Sequence, residues 1–532
     1  MKKYIIILFV AGLWMFTSCG NKLDLAPENA ITQEEIDELL ASGDQDAIDL
    51  VVGGLASSIP GYIHRTINAS DSRNNSFLNL QYMNDLQGYD IVVGKDVQTF
   101  GFEAYSWIGK NGRGPTSSFN TSYWALGWKA VTEANRLLAM LSDDVVGDNT
   151  TLKGYKAVAL TLRAYAYNYL MENYRDAYTA NGLGLMIYDE NSTDYEPFST
   201  AGETYDFIKE DLTKAITLFG ESGLGENGDG YTANTQDFDM AVAKFLQARV
   251  SLLTGDYSTA ISACNDILAR YSDFIAVENY GGKNTGTDAK PVFYGDNNAF
   301  FNKDKNPEVI FGFPDDASAT NYVSVWMNCF GLGYGGSTGE YSRIVNTLYD
   351  KIADTDVRKD AFMSGTTTFA NYKYPNADST LRTVPAYTNL KFAATHGKDR
   401  KKETVSVGTS DDCYMRTSEV LLMKAEAQAK NNDESGAKTT LNTLLAARST
   451  GSTVLTCDNY GMSGSALDMV KLQWRIEMWG ENGLEYYNNK RWGVEVVRST
   501  STTDHRINAT IGVSLMTLDI PDNEYLYNPN LN

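Results

Sequence analysis

Histidine and cysteine are scarce in this chain of 532 residues, which contains three histidines and five cysteines. It has no HExxH and no CxxC sequence, and its cysteines are not spaced as metal ligands are. A zinc hydrolase depends on clustered ligands of this kind. The sequence therefore predicts neither a metal site nor a bound cofactor.

Positive charge is also in short supply. The chain has 45 lysines and arginines against 67 acidic residues, a net charge of −22. Loss of the N-terminal leader, which carries two lysines and no acid, takes the charge from −22 to −24. So acidic a chain repels phosphate backbones, and no basic run with interleaved aromatics provides a local binding surface. Nucleic acid is therefore excluded as the expected partner.

The N-terminal apolar run is too short to span a membrane as a helix. Lys2 and Lys3 precede an apolar run over residues 4–16, an order typical of a signal peptide. Residues 16–19, Phe-Thr-Ser-Cys, resemble a lipobox, in which the cysteine thiol receives a diacylglycerol. We expect a signal peptide over residues 1–18, lipid on Cys19 and a tether over 19–32. Ordinary secretion with an incidental Cys19 is the alternative.

The other four cysteines have no predicted pairing. Disulfides are permitted in an exported protein. Cys264 lies on an apolar helical stripe, which favours a packed thiol over a bridge. The pairing of Cys264, Cys329, Cys413 and Cys457 stays open.

Helical periodicity is strong in several segments. Apolar residues recur at steps of three and four from Ala157 to Tyr174, which predicts a helix with one stripe facing a core. Two helical hairpins are predicted around the turns at 254–256 and 431–433. In each hairpin two alanines lie twelve residues apart, as in a degenerate tetratricopeptide repeat: Ala248 with Ala260, and Ala425 with Ala437.

Three segments lack a sustained helical period. Residues 68–114, 275–345 and 355–412 are rich in Gly, Asn and Asp, interrupted by aromatic residues. Loops of this length in a compact domain are commonly functional. We predict one domain over residues 33–532, in which helical hairpins form the scaffold and these irregular insertions bind a ligand.

Two catalytic-looking motifs fall in one of these insertions. Gly331, Gly333 and Gly336 form a GxGxxG pattern, and residues 335–339 form GxSxG. Neither follows a predicted strand or begins a clear helix, as a phosphate-binding loop or a nucleophile elbow requires. The motifs therefore do not indicate an enzyme.

Four blocks along the chain resemble one protein family. They are Arg-Ala-Tyr-Ala-Tyr-Asn-Tyr-Leu at 163–170, the helix at 415–427, the Arg-x-Glu and Arg-Trp block at 475–493, and the Ile-Pro to Asn-Pro-Asn-Leu terminus at 520–531. In this order, with the lipobox, they resemble the SusD/RagB family of outer-membrane nutrient-binding lipoproteins. Asn488 and Leu484 depart from the family pattern.

The resemblance implies a mainly α fold with four tetratricopeptide-like hairpins and a large irregular ligand-binding portion. It implies a lipid-anchored protein of the outer membrane, facing the cell exterior, that binds oligosaccharide or polysaccharide. It also implies delivery of the glycan to a TonB-dependent, SusC-like transporter. A peptide- or glycoprotein-binding lipoprotein of the same fold and a surface glycoside hydrolase are the alternatives; we expect a non-enzymatic binding protein.

A sugar site needs flat aromatic rings for stacking and polar side chains for directional hydrogen bonds. SusD-like proteins that bind glycans commonly take stacking residues from the first and the central insertion. Trp124 and Trp128 share a helix face with apolar neighbours and are assigned to the core. The predicted stacking residues are Tyr105, Trp107, Tyr294, Trp326 and Tyr334, and the predicted polar partners are Asp85 and Asn321.

The late block carries a predicted ion pair. Glu477 lies near two arginines in the sequence, Arg475 and Arg491. We interpret Glu477 with either of them as a buried or half-buried structural pair.

Overall fold

Ten helices of nine or more residues form the main body of the described part of the chain. The structure is a computed structural model that describes residues 38–39, 41–64, 77–93, 105–106, 113–232, 234–282, 297–300, 302–314, 342–369, 382–392, 411–461 and 464–531. The helices are α1 (Phe77–Asp85), α2 (Ser118–Met140), α3 (Thr150–Tyr174), α4 (Ala201–Glu221), α5 (Met240–Thr254), α6 (Tyr257–Leu268), α7 (Thr417–Lys430), α8 (Glu434–Ala447), α9 (Ala466–Glu477) and α10 (Leu484–Trp492).

Short helices and strands occupy the connections. The short helices are Gln45–Ile48, Gly54–Ser58, Gly61–His64, Asp143–Val146, Asn346–Tyr349, Val357–Asp360 and Asp522–Tyr527. Within the described ranges, eight strands form four antiparallel pairs, β1–β3, β2–β6, β4–β5 and β7–β8. The strands are β1 (Ile91–Val93), β2 (Val309–Phe313), β3 (Ser342–Ile344), β4 (Thr367–Phe369), β5 (Arg382–Val384), β6 (Asp412–Arg416), β7 (Val496–Arg498) and β8 (Ala509–Ile511).

The helices pack as an array in chain order. Each helix from α2 to α8 contacts the next one along the chain. The contact between α6 and α7 joins helices separated by residues 269–416. The central insertions therefore leave and re-enter the array between two neighbouring helices. The mainly helical fold class expected from the sequence is confirmed.

Both predicted hairpins are present. Gly255 ends α5 with a φ of 85°, a left-handed conformation that glycine adopts without strain. The side chain of Asp256 then caps α6 by accepting a hydrogen bond from Thr259 N. All four alanines at the predicted close approaches are fully buried: Ala248, Ala260, Ala425 and Ala437. The count of four tetratricopeptide-like hairpins stays a prediction.

Two helices differ from their sequence patterns. From Ala159 to Tyr174 every residue of α3 is buried, because α2 and α4 pack on it from two sides, so its core contact is wider than the predicted stripe. Helix α1 lies inside the predicted irregular segment 68–114, and all nine of its residues are buried. A helix buried on every side has no amphipathic stripe, so periodicity could not reveal it.

A buried charge network ties the helical array to the central insertions. Arg416 Nη1 donates to Glu308 Oε2 at 2.8 Å and to Glu477 Oε1 at 2.7 Å. Arg448 Nη2 donates to the same two acids at 2.6 and 2.9 Å. The network consists of four cations, Arg358, Lys391, Arg416 and Arg448, and four carboxylates, Glu308, Asp356, Glu477 and Glu481.

The network tolerates burial because its charges balance. Equal numbers of opposite charges neutralise it, and hydrogen bonds satisfy its atoms, as buried charges require. Burial alone would raise the pKa of Glu477, but the charges of Arg448, Arg416 and Arg358 outweigh it and hold that pKa well below its usual range. Glu477 is therefore ionised in the interior.

The predicted partners of Glu477 are wrong, although its burial in ion pairs is confirmed. Arg475 pairs instead with Asp90, to which Nε donates at 3.0 Å. Arg491 pairs with Glu426. The true partners of Glu477 come from three other elements, which adjacent sequence could not indicate.

Three of the cysteines lie in the described residues, and all three are free thiols: Cys264, Cys413 and Cys457. Cys264 is packed in the core, as predicted, and burial raises its pKa. Cys329 lies outside the described residues. Among the described helices, none combines the length and apolar character needed to span a membrane.

Two histidines, the buried His505 and the half-buried His64, stay neutral at physiological pH. Burial, assisted by the charge of Arg498, lowers the pKa of His505 to about 3. Burial lowers the pKa of His64 to about 4. His505 Nδ1 lies 2.8 Å from the Tyr105 hydroxyl and Nε2 lies 2.9 Å from the Tyr89 carbonyl oxygen, so Nε2 must carry the proton.

Glu477→Gln should destabilise the fold strongly. The change leaves the network with an excess buried positive charge, which costs about 3–5 kcal/mol in free energy of unfolding. Equilibrium urea unfolding measures the loss. Glu226→Gln, at an exposed site, is the matched control and should change the free energy by less than about 0.5 kcal/mol. Equal effects of the two changes would contradict a structural role for the network.

His505→Gln should reduce the dependence of folding stability on pH between pH 7 and pH 4. Between pH 6.5 and about 3 the unfolded chain binds a proton at His505 that the folded chain excludes. Folding stability therefore falls as pH falls in this window, by about 1.4 kcal/mol per pH unit for one group. Urea unfolding from pH 7 to 4 measures the slope. An unchanged slope in the variant would show that His505 is not held neutral.

Candidate ligand-binding site

Most of the predicted ligand contacts lie outside the described residues. Tyr105 and Asp85 are the two that the structure describes. The predicted lipid-bearing Cys19 also lies outside them. The remaining predicted contacts outside the described residues are Trp107, Tyr294, Asn321, Trp326 and Tyr334.

Tyr105 is a supporting residue and not a stacking surface. Its side chain is fully buried, and the Arg498 guanidinium lies 4.1 Å from its ring centroid. Its hydroxyl accepts a hydrogen bond from Arg506 N at 3.1 Å and bonds His505. The ring has no face to offer a sugar, so the predicted stacking role of Tyr105 is wrong. Instead, Tyr105 anchors the turn at 504–506.

Asp85 also has a structural role. It is buried, with Oδ2 accepting from Gly483 N at 3.1 Å and Oδ1 from Glu485 N at 3.3 Å. These are amide groups at the start of α10 that lack partners within the helix. Burial and the neighbouring Glu485 raise the pKa of Asp85 well above its usual value. Asp85 therefore caps a helix, and its prediction as a ligand contact is wrong.

Strand β3 is where the three predicted insertions meet. Strand β1, from the first insertion, pairs with β3, and Val93 lies opposite Ser342. Position 93 is the last described residue before segment 94–104, and 342 is the first after segment 315–341. The described residues at which these two segments begin and end, Val93 and Ser342, are therefore neighbours on the paired strands. The third insertion supplies Asn389, whose backbone N donates to the Ser342 carbonyl oxygen at 3.0 Å.

Arg343, at the centre of β3, is buried with an unused donor. It is 6% exposed, and its Nη2 has no hydrogen-bond partner among the described residues. Within the described residues no carboxylate lies within ion-pair distance of it. The seven other buried arginines each donate at least one hydrogen bond: Arg113, Arg163, Arg175, Arg358, Arg416, Arg448 and Arg498.

The charge of Asp504 acts on Arg343, although the two do not form an ion pair. Burial lowers the pKa of Arg343, the charge of Arg506 lowers it further, and the charge of Asp504 opposes them. Asp504 is half-buried, and its Oδ2 has no hydrogen-bond partner among the described residues. A buried polar group without a partner costs free energy, so its retention calls for an explanation.

Tyr387 completes the group with an aromatic ring. It adopts a φ of 67°, a left-handed conformation that costs a non-glycine residue about 1–3 kcal/mol. Backbone bonds hold it there: Tyr387 N donates to the Met363 carbonyl at 2.7 Å, and its carbonyl accepts from Ile344 N at 3.1 Å. The half-buried ring lies 5.0 Å from that of Tyr349.

We call Arg343, Tyr387 and Asp504 the β3 site. It combines a donor, an acceptor and an aromatic ring, the three contacts that a sugar requires. Sequence reasoning missed all three residues because none belongs to a motif. The left-handed tyrosine and the unpartnered arginine become visible only in three dimensions.

Two family models match the chain. Residues 255–527, just over half of the 532 residues, match the model of the SusD family. Residues 49–224 match a model described as starch-binding associating with outer membrane. Among curated proteins, a search finds no match.

Solved structures share the fold over nearly the whole chain. A SusD-like carbohydrate binding protein from Bacteroides vulgatus is 21% identical, with a TM-score of 0.68, over 90% of this chain and 96% of that one. Surface glycan-binding protein A from Bacteroides thetaiotaomicron, in complex with laminarihexaose, is 16% identical, with a TM-score of 0.64, over 91% and 99% of the two chains. The corresponding protein from Bacteroides fluxus is 17% identical, with a TM-score of 0.60, over 93% and 96%.

The solved structures show the shared architecture, and the family model covers the α6–α10 region together with the central insertions. The blocks at 163–170, 415–427 and 475–493 lie within the residues that the two models match. On the match over more than half of its length, this protein is a member of the SusD family.

Proposed function

We propose that this protein is a cell-surface lipoprotein that binds an oligosaccharide or polysaccharide at the β3 site and delivers it to a TonB-dependent outer-membrane transporter. The observation that carries the proposal is that Arg343 Nη2 and Asp504 Oδ2 are both buried without a hydrogen-bond partner among the described residues, and that the bridge between Arg343 and Thr388 places Arg343 beside Tyr387. The laminarihexaose complex of a structural neighbour supports a glycan as the ligand class.

The chemistry of the β3 site suits hydroxyl groups. A sugar hydroxyl accepts a hydrogen bond from a guanidinium and donates one to a carboxylate, so adjacent hydroxyls satisfy Arg343 and Asp504 together. The C–H face of the sugar packs on the ring of Tyr387. The predicted stacking residues of the neighbouring insertions extend this surface in the proposal: Trp107, Tyr294, Trp326 and Tyr334, with Asn321 as a polar contact.

The tether belongs to the same proposal. Lipid on Cys19 holds the protein at the outer membrane, facing the exterior, and raises its local concentration beside the transporter. Binding occurs without bond cleavage. Release of shorter products from any bound polysaccharide would favour the glycoside hydrolase alternative instead.

Arg343→Gln should weaken glycan binding without weakening the fold. Loss of a charged hydrogen bond costs about 1.5–3 kcal/mol, or about 10- to 150-fold in Kd. Because Arg343 Nη2 has no hydrogen-bond partner in the part of the chain that the structure describes, its removal should leave the free energy of unfolding unchanged or higher. Calorimetric titration with laminarihexaose and with the glycans that bind in an array screen measures Kd, and urea unfolding measures stability. Asp504→Asn should have the same two effects, weaker glycan binding and an unchanged or higher free energy of unfolding.

Arg448→Gln is the matched control for stability. It removes an arginine that is also buried, 0% exposed against 6% for Arg343, but is paired with Glu308 and Glu477, and should cost about 3–5 kcal/mol. If Arg343→Gln destabilises the fold to the same degree, or binds every glycan as tightly as the unaltered protein, the assignment of the β3 site is wrong.

The transporter partnership predicts co-purification. Extraction of the lipidated protein from its native membrane in mild detergent should yield it together with a TonB-dependent barrel, identified by mass spectrometry. A Cys19→Ala variant, which cannot receive lipid, should recover less of the barrel because its local concentration falls. A lipoprotein that is recovered alone after gentle extraction would contradict the partnership.

A further inference from the structure

A surface cleft runs beside α9. It consists of two cavities of about 310 and 530 Å³ that share Lys471 and Arg475 in their walls. These side chains are four residues apart and therefore lie on one face of the helix. Cavities of this size accommodate small ligands or a few units of an extended one.

The first cavity has a largely apolar wall. Tyr89 and Trp492 contribute aromatic rings, and Val494 and Val497 contribute aliphatic side chains. Val494 is 41% exposed and Val497 is 54% exposed, so this apolar surface is open to solvent. The wall offers packing to the C–H faces of a ring-shaped ligand.

Fixed charges in this cavity are largely neutralised. Arg475 forms a two-pronged ion pair with Asp90. Burial and the charge of Asp90 raise the pKa of Glu485 to about 8, which keeps its carboxyl protonated at neutral pH. Lys471 forms no ion pair with the described residues, and its ammonium lies 5.3 Å from the centroid of the Trp492 ring. Glu495, also in the wall, is exposed.

The second cavity also carries single charges of both signs. Asp350 and Lys351 are exposed neighbours in its wall, and neither forms an ion pair with a described residue. Single charges of both signs do not select an anion or a cation. They suit hydroxyl groups, which accept from an ammonium and donate to a carboxylate. Together with the aromatic and aliphatic wall, they favour a saccharide.

The cleft lies at the opposite end of the β1–β3 pair from the insertions. Tyr89, two residues before β1, bonds through its hydroxyl to Thr347 Oγ1 at 2.9 Å, three residues after β3. The insertions leave at the other end, at Val93 and Ser342. Three-residue strands span about 7 Å between their end residues. A chain of several sugar units is long enough to reach from one end to the other.

We infer that the cleft formed by Tyr89, Lys471, Trp492 and Val497 is a second saccharide-binding site, which holds a further stretch of the chain bound at the β3 site. The inference rests on the proposed function. Two linked contacts raise affinity for a ligand that spans both, whereas a short ligand occupies one. The protein therefore selects long chains over short ones.

Chain-length dependence tests the inference. The full mature protein is screened on an array of defined oligosaccharides of three to ten units, including laminaritriose and laminarihexaose, and each binding series is titrated by calorimetry. Val497→Asp and Lys471→Ala should each weaken binding of chains of six or more units by about 5-fold or more, the effect of one lost contact. Binding of the trisaccharide should stay unchanged.

Two matched controls separate this effect from surface charge and from folding. Val454→Asp alters a valine that is 53% exposed, close to the 54% of Val497, outside the cleft. Lys424→Ala alters a half-buried lysine on α7. Neither should change binding of any chain length, and all four variants should keep the melting temperature within a few degrees.

The possible outcomes are distinguishable. If long and short chains bind the cleft variants as they bind the unaltered protein, the cleft inference is wrong while the β3 site stands. If the cleft variants weaken the trisaccharide equally, the cleft is not a separate site, and the inference again fails. If no glycan on the array binds the unaltered protein, the proposed function and the inference are both contradicted.

Discussion

The buried charge network is the interaction on which the rest of the structure depends. Glu308 belongs to the central insertion, Arg416 ends strand β6, Arg448 follows α8, and Glu477 ends α9. Most bonds in the network join residues far apart in the chain, so it fastens the central insertion and strand β6 to α8 and α9. Four cations and four carboxylates cancel, so the network is buried without a net charge. Removal of any one member exposes the remaining charges to an interior that cannot solvate them.

The network also holds in place the segment beside strand β3, where the insertions meet. Lys391 Nζ donates to Glu481 Oε1 at 2.5 Å and to the Trp479 carbonyl at 2.9 Å, and Lys391 follows the segment that pairs with β3. Lys391 thereby holds the segment that pairs with β3. Arg343 stands on that strand, and its Nη2 has no hydrogen-bond partner among the described residues. The arginines of the network, by contrast, are bound to several carboxylates and hold the fold.

The helical half of the protein could be predicted from its sequence because its determinants are local. The alanines at 248 and 260 and the turn at 254–256 lie within one hairpin, and the structure places them as expected. Helix α1 escaped prediction because burial on all sides removes the amphipathic pattern. Glu477 escaped because its partners lie 29, 61 and 119 residues away in the sequence.

For the ligand-binding part of the protein, the sequence could predict the three insertions but not the individual contact residues. Glycine, asparagine and aromatic content marked the three insertions, and the structure joins all three at β3. Composition does not say which aromatic ring is exposed, so Tyr105 was assigned to the ligand although it supports the turn at 504–506 from beneath. Arg343 and Asp504 are 161 positions apart, and their shared lack of partners is a property of the folded chain.

The central claim is that the β3 site binds saccharide. A crystal structure of the mature protein with an oligosaccharide selected by array screening tests this claim most directly. The account predicts sugar hydroxyl oxygens within hydrogen-bond distance of the Arg343 guanidinium and the Asp504 carboxylate, with a sugar ring against Tyr387. An ordered oligosaccharide bound elsewhere, with Arg343 and Asp504 still unpartnered, would contradict it.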